Sequence, residues 1–136
     1  MRWTMRAAAM MAGVALTTLP AAAVAKVPAG VWANPSNSVH VAFRPCGGAM
    51  CGTVVWASDK AQADARAGGT ERLVGSRLFS DFVEETRGSW RGEVFIPDIG
   101  QSITGTIVQV DARTLTGESC LFGGFGCRTQ TWRRVK

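Results

Sequence analysis

Apolar and polar residues alternate along a series of short stretches in this chain. In "SVHVAFRP", residues 38–45, the apolar residues Val39, Val41 and Phe43 occupy every second position, with smaller or polar residues between them. A period of two is typical of a β-strand that is buried on one face only. Seven further stretches are also strand-like: "GVWAN", "CGTVVWAS", "LVGSRLFSDFVEE", "SWRGEVFIP", "SITGTIVQV", "TLTGES" and "RTQTWRRV".

Turn-like breaks rich in glycine, proline and aspartate separate these stretches, among them "PDIG" and "FGGFG". Short strands at such regular spacing predict an all-β antiparallel sandwich or barrel. Hairpin connections between eight strands favour an up-and-down barrel, whose interior holds its own side chains or one small ligand. We therefore expect a small antiparallel eight-stranded up-and-down barrel.

One stretch has a different pattern. The segment "SDKAQADARAGG" is rich in alanine, offers Ser58 or Asp59 as a cap, and ends in Gly68 and Gly69. These are start and stop signals of a helix. We expect a short surface helix or an ordered loop inserted near residues 59–69.

The N-terminal segment has the three parts of a secretory signal peptide. A basic start containing Arg2 and Arg6 precedes an apolar run over residues 7–19, and small residues then surround Ala25. The run is shorter than the ~20 apolar residues that span a bilayer. We expect residues 1–25 to be cleaved and residues 26–136 to form a single domain in the periplasm or outside the cell, without a membrane span.

Charge changes this picture little. The full chain carries +5, and loss of the two arginines in the predicted signal peptide leaves +3. Basic and acidic residues are mixed along the chain, whereas a nucleic-acid binder normally concentrates basic residues in a patch. We expect no nucleic-acid partner, and we expect a monomer.

Four cysteines, Cys46, Cys51, Cys120 and Cys127, lie in the predicted exported domain, where disulfides persist. Three pairings are possible. We favour the local pairs, Cys46–Cys51 and Cys120–Cys127, because the glycines between them allow the chain to fold back. The spacings of four and six residues differ from the Cys-x2-Cys of zinc sites and redox couples. We therefore expect no metal and no cofactor.

The first and last predicted strands resemble the calycin signature of lipocalins and fatty-acid-binding proteins. Gly30 and Trp32 form a Gly-x-Trp, and "TWRR" lies near the C-terminus. The resemblance implies that Trp32 closes one barrel end and that a basic side chain of the last strand, Arg133, stacks on the indole. The alternative is that Trp32 and Trp132 are ordinary core or rim aromatics.

A broader resemblance covers most of the predicted domain. The stretches "GVWANPSNSVHVAFRPCGGAMCGTVVW", "ERLVGSRL", "WRGEVFIPDIGQSITGTI" and "TLTGESCLFGGFGCRTQTWRR" resemble the DUF2147 family of exported bacterial proteins. The resemblance implies export and a small lipocalin-like fold, and it supplies no catalytic residues. This chain has Ser102 where family members tend to have a tyrosine.

No catalytic constellation is evident. The only histidine, His40, lies on a predicted strand face, where a solvated or half-buried role is the ordinary one. Glu84 and Glu85 are adjacent and would point to opposite faces of a strand. We expect a protein that is not an enzyme.

Two functions of different class remain. In the first, the barrel carries or senses one small apolar ligand. The residues expected to line the interior are Val41, Phe43, Val55, Phe95 and Ile107. In the alternative, the barrel is filled and acts as an envelope-associated protein-interaction module through exposed loop residues such as Phe122 and Phe125.

Glycines inside the predicted strands bear on both functions. Gly92, Gly105 and Gly117 each interrupt a strand pattern. An interior glycine marks a bulge, a bend or a close approach. The same glycines could also leave a cavity open, because they place no side chain in it.

Overall fold

The computed structural model describes residues 13–19, 28–121 and 125–136, with the backbone alone for Leu121 and Phe125. Within these residues the chain forms eight strands and one helix, as predicted. The elements are β1 (Gly30–Ala33), β2 (Val39–Cys46), β3 (Ala49–Ala57), α1 (Asp59–Ala67), β4 (Arg77–Thr86), β5 (Ser89–Ile96), β6 (Gln101–Asp111), β7 (Thr114–Leu121) and β8 (Phe125–Arg134).

The strands form a closed antiparallel barrel in which each strand pairs with the next along the chain. Closure comes from β1 and β8, where Trp32 lies opposite Arg134 and Ala33 opposite Arg133. The predicted eight-stranded up-and-down barrel is therefore confirmed.

The up-and-down order separates the connections into two groups. The β2–β3, β4–β5 and β6–β7 turns lie at the end that also holds the C-terminus, which we call the closed end. The β1–β2 loop, the β3–β4 segment with α1, the β5–β6 turn and the β7–β8 connection lie at the other end, which we call the mouth.

Bulky apolar side chains fill the closed half of the barrel. Trp32 and Val41 are fully buried, and Phe79 contacts Phe43, Phe82 and Trp132 with ring centroids 5.1–5.7 Å apart. Tilted and edge-on aromatic pairs of this kind are favoured over face-to-face stacks. The closed half is thus a packed core.

An irregular turn of β4 allows two phenylalanines three residues apart to enter this core. Asp81 has a φ of 55°, and the pairing of β4 with β5 is irregular around it. Phe79 and Phe82 are both buried as a result. Gly92 lies beneath Phe82: a Cβ at this position would lie 2.5 Å from the ring and 2.7 Å from the carbonyl oxygen of Ser80. Gly92 therefore permits a close approach.

Helix α1 begins and ends where the sequence predicts. The Ser58 hydroxyl accepts a hydrogen bond from the backbone N–H of Ala61 at 3.1 Å, which is the usual N-cap geometry. Beyond the helix, the Thr70 hydroxyl donates to the carbonyl oxygen of Pro97 at 2.9 Å. A Cβ at Gly68 would collide with the backbone of Asp98, so the end of the helix packs directly on the β5–β6 turn at the mouth.

Two disulfides join neighbouring strands. Cys46–Cys51 links β2 to β3 at the closed end, and Cys120–Cys127 links β7 to β8 at the mouth. These are the two local pairings favoured above.

The predicted signal peptide, residues 1–25, lies mostly outside the described residues and stays a prediction. Its described part, residues 13–19, is exposed and contains neither helix nor strand. In the described residues, no helix is long and apolar enough to cross a membrane.

Candidate functional site

The mouth half of the barrel contains a cavity of about 780 Å³. Its walls come from the parts of β4 to β8 nearest the mouth. Its rim comes from the β1–β2 loop, α1 and the β5–β6 turn. The core of the closed half forms its floor, where Trp132 is shared by the cavity lining and the core cluster. The cavity therefore opens at the mouth and ends at the packed core.

One side of the cavity is apolar. Phe79 and Leu73 are buried, and Val94, Phe95 and Ile103 are half-buried beside them. Val94 of β5 pairs with Ile103 of β6, so these two side chains belong to the same face of the sheet. This wall suits the apolar part of a small molecule.

The opposite side, formed by β7 and β8, is polar. Gly126, Arg128, Gln130 and Trp132 border the cavity at every second position of β8, as expected for one face of a strand. The Trp132 indole N–H donates to the Gln130 side-chain oxygen at 3.2 Å, which places both side chains on the same face. Ser119 of β7 lies opposite Arg128 in the sheet register. The lining is therefore amphipathic.

Gly117 keeps part of this polar side open. It lies opposite Gln130 and borders the cavity, and a Cβ built on it would have no neighbour within 4 Å. Gly105 differs, because a Cβ there would lie 2.6 Å from the Val94 side chain. Of the three strand glycines singled out in the sequence, only Gly117 leaves cavity space.

The rim beside α1 carries an ion pair. Lys60 Nζ donates to Asp64 Oδ2 at 2.7 Å, one helical turn apart, and both side chains are largely exposed. The hydrogen bond to the Asp64 carboxylate raises the pKa of Lys60, and the negative charges of Asp64 and Asp98 add to the effect. An exposed pair of this kind contributes little to stability, but it occupies the Asp64 carboxylate.

Few of the residues predicted to line the interior border this cavity. Phe95 does. Val41, Phe43 and Ile107 point inward but are buried in the core cluster. They therefore support the cavity floor and do not line the cavity.

The prediction that Val55 lines the interior is wrong, because its side chain is 44% exposed on the outer surface. The pairing of β2 with β3 shifts beside Val41, which lies opposite Val54, whereas the next pair joins His40 to Trp56. Val55 is the extra residue of this bulge. Since a bulge interrupts strict alternation, Val54 and Ala57 face inward and Val55 does not.

The structure also places the residues that were expected at the closed end. Trp32 is fully buried, and its indole N–H donates to the carbonyl oxygen of Pro28 at 3.3 Å. The cation above its ring is Arg134, with Cζ 4.9 Å from the centroid. Arg133 is exposed instead. Because alternate residues of a strand share a face, Arg134 lies on the side of Trp132, and Arg133 lies on the other side.

Sequence reasoning missed the polar wall. Arg128 and Gln130 lie at alternate positions of β8 with Trp132 and Arg134, so the four residues share the inner face of the strand. This period of two can be read from the sequence. The residues predicted to line the interior were all apolar, so Arg128 and Gln130 were not among them. Of the two loop phenylalanines considered for surface contacts, Phe122 lies outside the described residues, and only the backbone of Phe125 is described.

Other chemistry is sparse in the described residues. His40 lies in a tilted stack with Trp56, with ring centroids 4.6 Å apart, and its Nε2 is 2.7 Å from the Asn37 side-chain oxygen. No group of three or more histidine, cysteine, aspartate or glutamate residues is placed to hold a metal ion in this part of the chain.

Comparison with solved structures supports the fold. The chain is similar to protein HP1028 from Helicobacter pylori, a pathogen protein described as belonging to the lipocalin family. The TM-score is 0.63 at 16% sequence identity, and the match covers 81% of this chain and 84% of that chain. At this identity the likeness concerns the fold alone.

Sequence comparison identifies the family. No curated protein matches this chain. The family model described as "Uncharacterized protein conserved in bacteria (DUF2147)" matches residues 30–134, which include all eight strands, both disulfides and the cavity walls. The chain belongs to the DUF2147 family.

Proposed function

We propose that this protein binds one small, mostly apolar molecule in the cavity at the mouth of the barrel. The observation that carries the proposal is the cavity itself, with a volume of about 780 Å³. Ligand pockets are typically about 300–1,000 Å³, lined mainly by apolar groups with a few polar ones. The lining described above has this composition.

The presence of open space beside the packed core supports the proposal. An eight-stranded barrel is just wide enough to be filled by its own side chains or to hold one small ligand. Here a cluster of buried side chains fills part of the interior, and Gly117 leaves space beside it. The alternative of a filled barrel that acts as an envelope-associated interaction module is disfavoured for this reason.

We place this activity in the periplasm or outside the cell. Two disulfides are typical of proteins in oxidising compartments. The sequence of residues 1–25 supports export through a cleaved signal peptide. The ligand would then be a molecule of the cell envelope or its surroundings.

Titration with an uncharged apolar fluorescent probe, N-phenyl-naphthylamine, tests the proposal. We expect saturable binding to one site in residues 26–136. Gly117→Leu should weaken binding at least tenfold, because the new side chain enters free space in the cavity. Thr129→Leu adds the same side chain at an exposed position of the same hairpin and should leave binding unchanged.

Thermal unfolding of each variant shows whether it is folded before it is titrated. Absence of saturable binding to the unmodified protein would contradict the proposal. Equal affinity of the folded Gly117→Leu variant would show that the probe binds elsewhere, and it would contradict the proposal as well.

A further inference from the structure

We infer that the ligand is a single-tailed amphiphile whose carboxylate is held by Arg128 near the mouth, with its apolar chain directed toward Trp132. This inference rests on the proposed binding function and adds the chemical class of the ligand. It is carried by the position of Arg128, by the absence of a partner for its guanidinium within the described residues, and by the order of polar and apolar groups with depth.

Arg128 lies on the cavity side of β8, close to the mouth. It borders the cavity together with Gln130 and Trp132, which follow at intervals of two residues. Strand β8 begins at the mouth with Phe125, so Arg128 lies nearest the rim of these three side chains. A cation at this place can contact a ligand whose other end lies deeper in the barrel.

The guanidinium of Arg128 has no partner in the part of the chain that the structure describes. The ion pair found there joins Lys60 to Asp64, and Arg128 takes part in no side-chain hydrogen bond. Glu118 and Asp98 also border the cavity, but neither pairs with Arg128. The five N–H donors of a guanidinium form a planar fork that matches a carboxylate. One unpaired guanidinium therefore suits one carboxylate.

The β7–β8 hairpin becomes less polar with depth. Ser119 lies opposite Arg128 near the mouth, Gly117 opposite Gln130 in the middle, and Leu115 opposite Trp132 at the floor. The facing wall is apolar at the same depth, since it contains Phe79 and Val94. A polar head at the mouth and an apolar chain below it would match both walls.

Competition against the uncharged probe tests the inference with three molecules of equal chain length: dodecanoate, dodecanol and dodecylamine. At neutral pH they carry a negative charge, no charge and a positive charge. We expect dodecanoate to bind about two- to fivefold more tightly than dodecanol, the size of one ion pair at an exposed site. Dodecylamine should bind more weakly than dodecanol. The preference for dodecanoate should shrink as salt is added, because salt screens exposed charges.

Arg128→Gln should abolish the preference for dodecanoate over dodecanol. The matched control is Arg91→Gln, which removes the same charge from an exposed position on β5. This control should keep the preference, because the Arg91 side chain is not part of the cavity lining.

Two results would overturn the inference without affecting the proposed function. One is equal affinity for dodecanoate and dodecanol in the unmodified protein, and the other is a preference that survives Arg128→Gln. In both cases saturable binding of the uncharged probe still supports an apolar-ligand site. Failure of the probe to bind would overturn the proposed function and this inference together.

Discussion

The space around a single glycine decides what that residue contributes to this barrel. Gly92 lies under the Phe82 ring, and its missing side chain allows the core of the closed half to pack. Gly117 lies in open space beside the cavity. The two residues belong to similar strand contexts, yet one is required for packing and the other leaves an interior volume empty.

Replacing each of these glycines by alanine should therefore give opposite results. Gly92→Ala brings a methyl group against Phe82 and a backbone oxygen, and overpacking of this kind costs about 1–3 kcal/mol in the free energy of unfolding. Gly117→Ala should leave stability unchanged or raise it by up to ~1 kcal/mol, because the unfolded chain loses conformational freedom. Urea unfolding measures both. Equal losses in the two variants would contradict the distinction.

Neighbouring arginines at the end of β8 also differ in role. Arg134 covers the buried Trp32 ring, whereas Arg133 is exposed. The Nε of Arg134 is buried and, within the described residues, has no hydrogen-bond partner, which offsets part of its gain from the ring. The guanidinium and the indole are in contact where β1 pairs with β8.

Arg134→Met should lower the free energy of unfolding by about 1 kcal/mol through loss of the cation–π contact. Methionine keeps an apolar stem over the ring, so the change reports mainly on the charge. Arg133→Met, one residue earlier, should alter stability by no more than ~0.5 kcal/mol. Unfolding midpoints in urea compare the two variants directly. A larger loss of stability for Arg133→Met than for Arg134→Met would contradict the stacking of Arg134 on Trp32.

At the scale of elements, the two disulfides hold hairpins at opposite ends of the barrel. Cys46–Cys51 joins strands at a tight turn of the closed end. Cys120–Cys127 joins the β7–β8 hairpin at the mouth, the same hairpin that carries Ser119 and Arg128. Similar crosslinks should thus differ in their effect on the cavity.

Removing either pair as a double alanine variant should cost about 2 kcal/mol, because each closes a short loop. Only loss of Cys120–Cys127 should also lower affinity for the uncharged probe, since it frees the strand ends that form the polar wall. Urea unfolding and probe titration of the same samples separate the two effects. Equal losses of affinity in both variants would contradict a local role for the disulfide at the mouth.

At the scale of the whole molecule, the barrel combines a packed end with an open one. Closure between β1 and β8 rests on two residue pairs at the C-terminal end of β8, Trp32 with Arg134 and Ala33 with Arg133. The core of the closed half then supplies a rigid floor. Helix α1 packs on the β5–β6 turn and narrows the rim. The cavity at the mouth therefore lies against a packed core.

The sequence by itself determined the elements and their order. Strand-like patterns between turn-like breaks identified all eight strands, and the serine and glycine signals bounded α1, because both are local properties of the chain. The choice of local disulfide pairs also followed from short, glycine-rich connections. The class of fold followed from the number and spacing of the strands.

Tertiary structure decided which side chains face the cavity. The bulge at Val55 depends on how β3 pairs with β2, and alternation within one strand cannot reveal it. The division into a filled and an open half depends on how large side chains from several strands meet, as Phe79 and Phe82 do through the irregular turn of β4. Arg128 had the right period to be found, but its position beside an open volume, with no partner among the described residues, exists only once the barrel has closed.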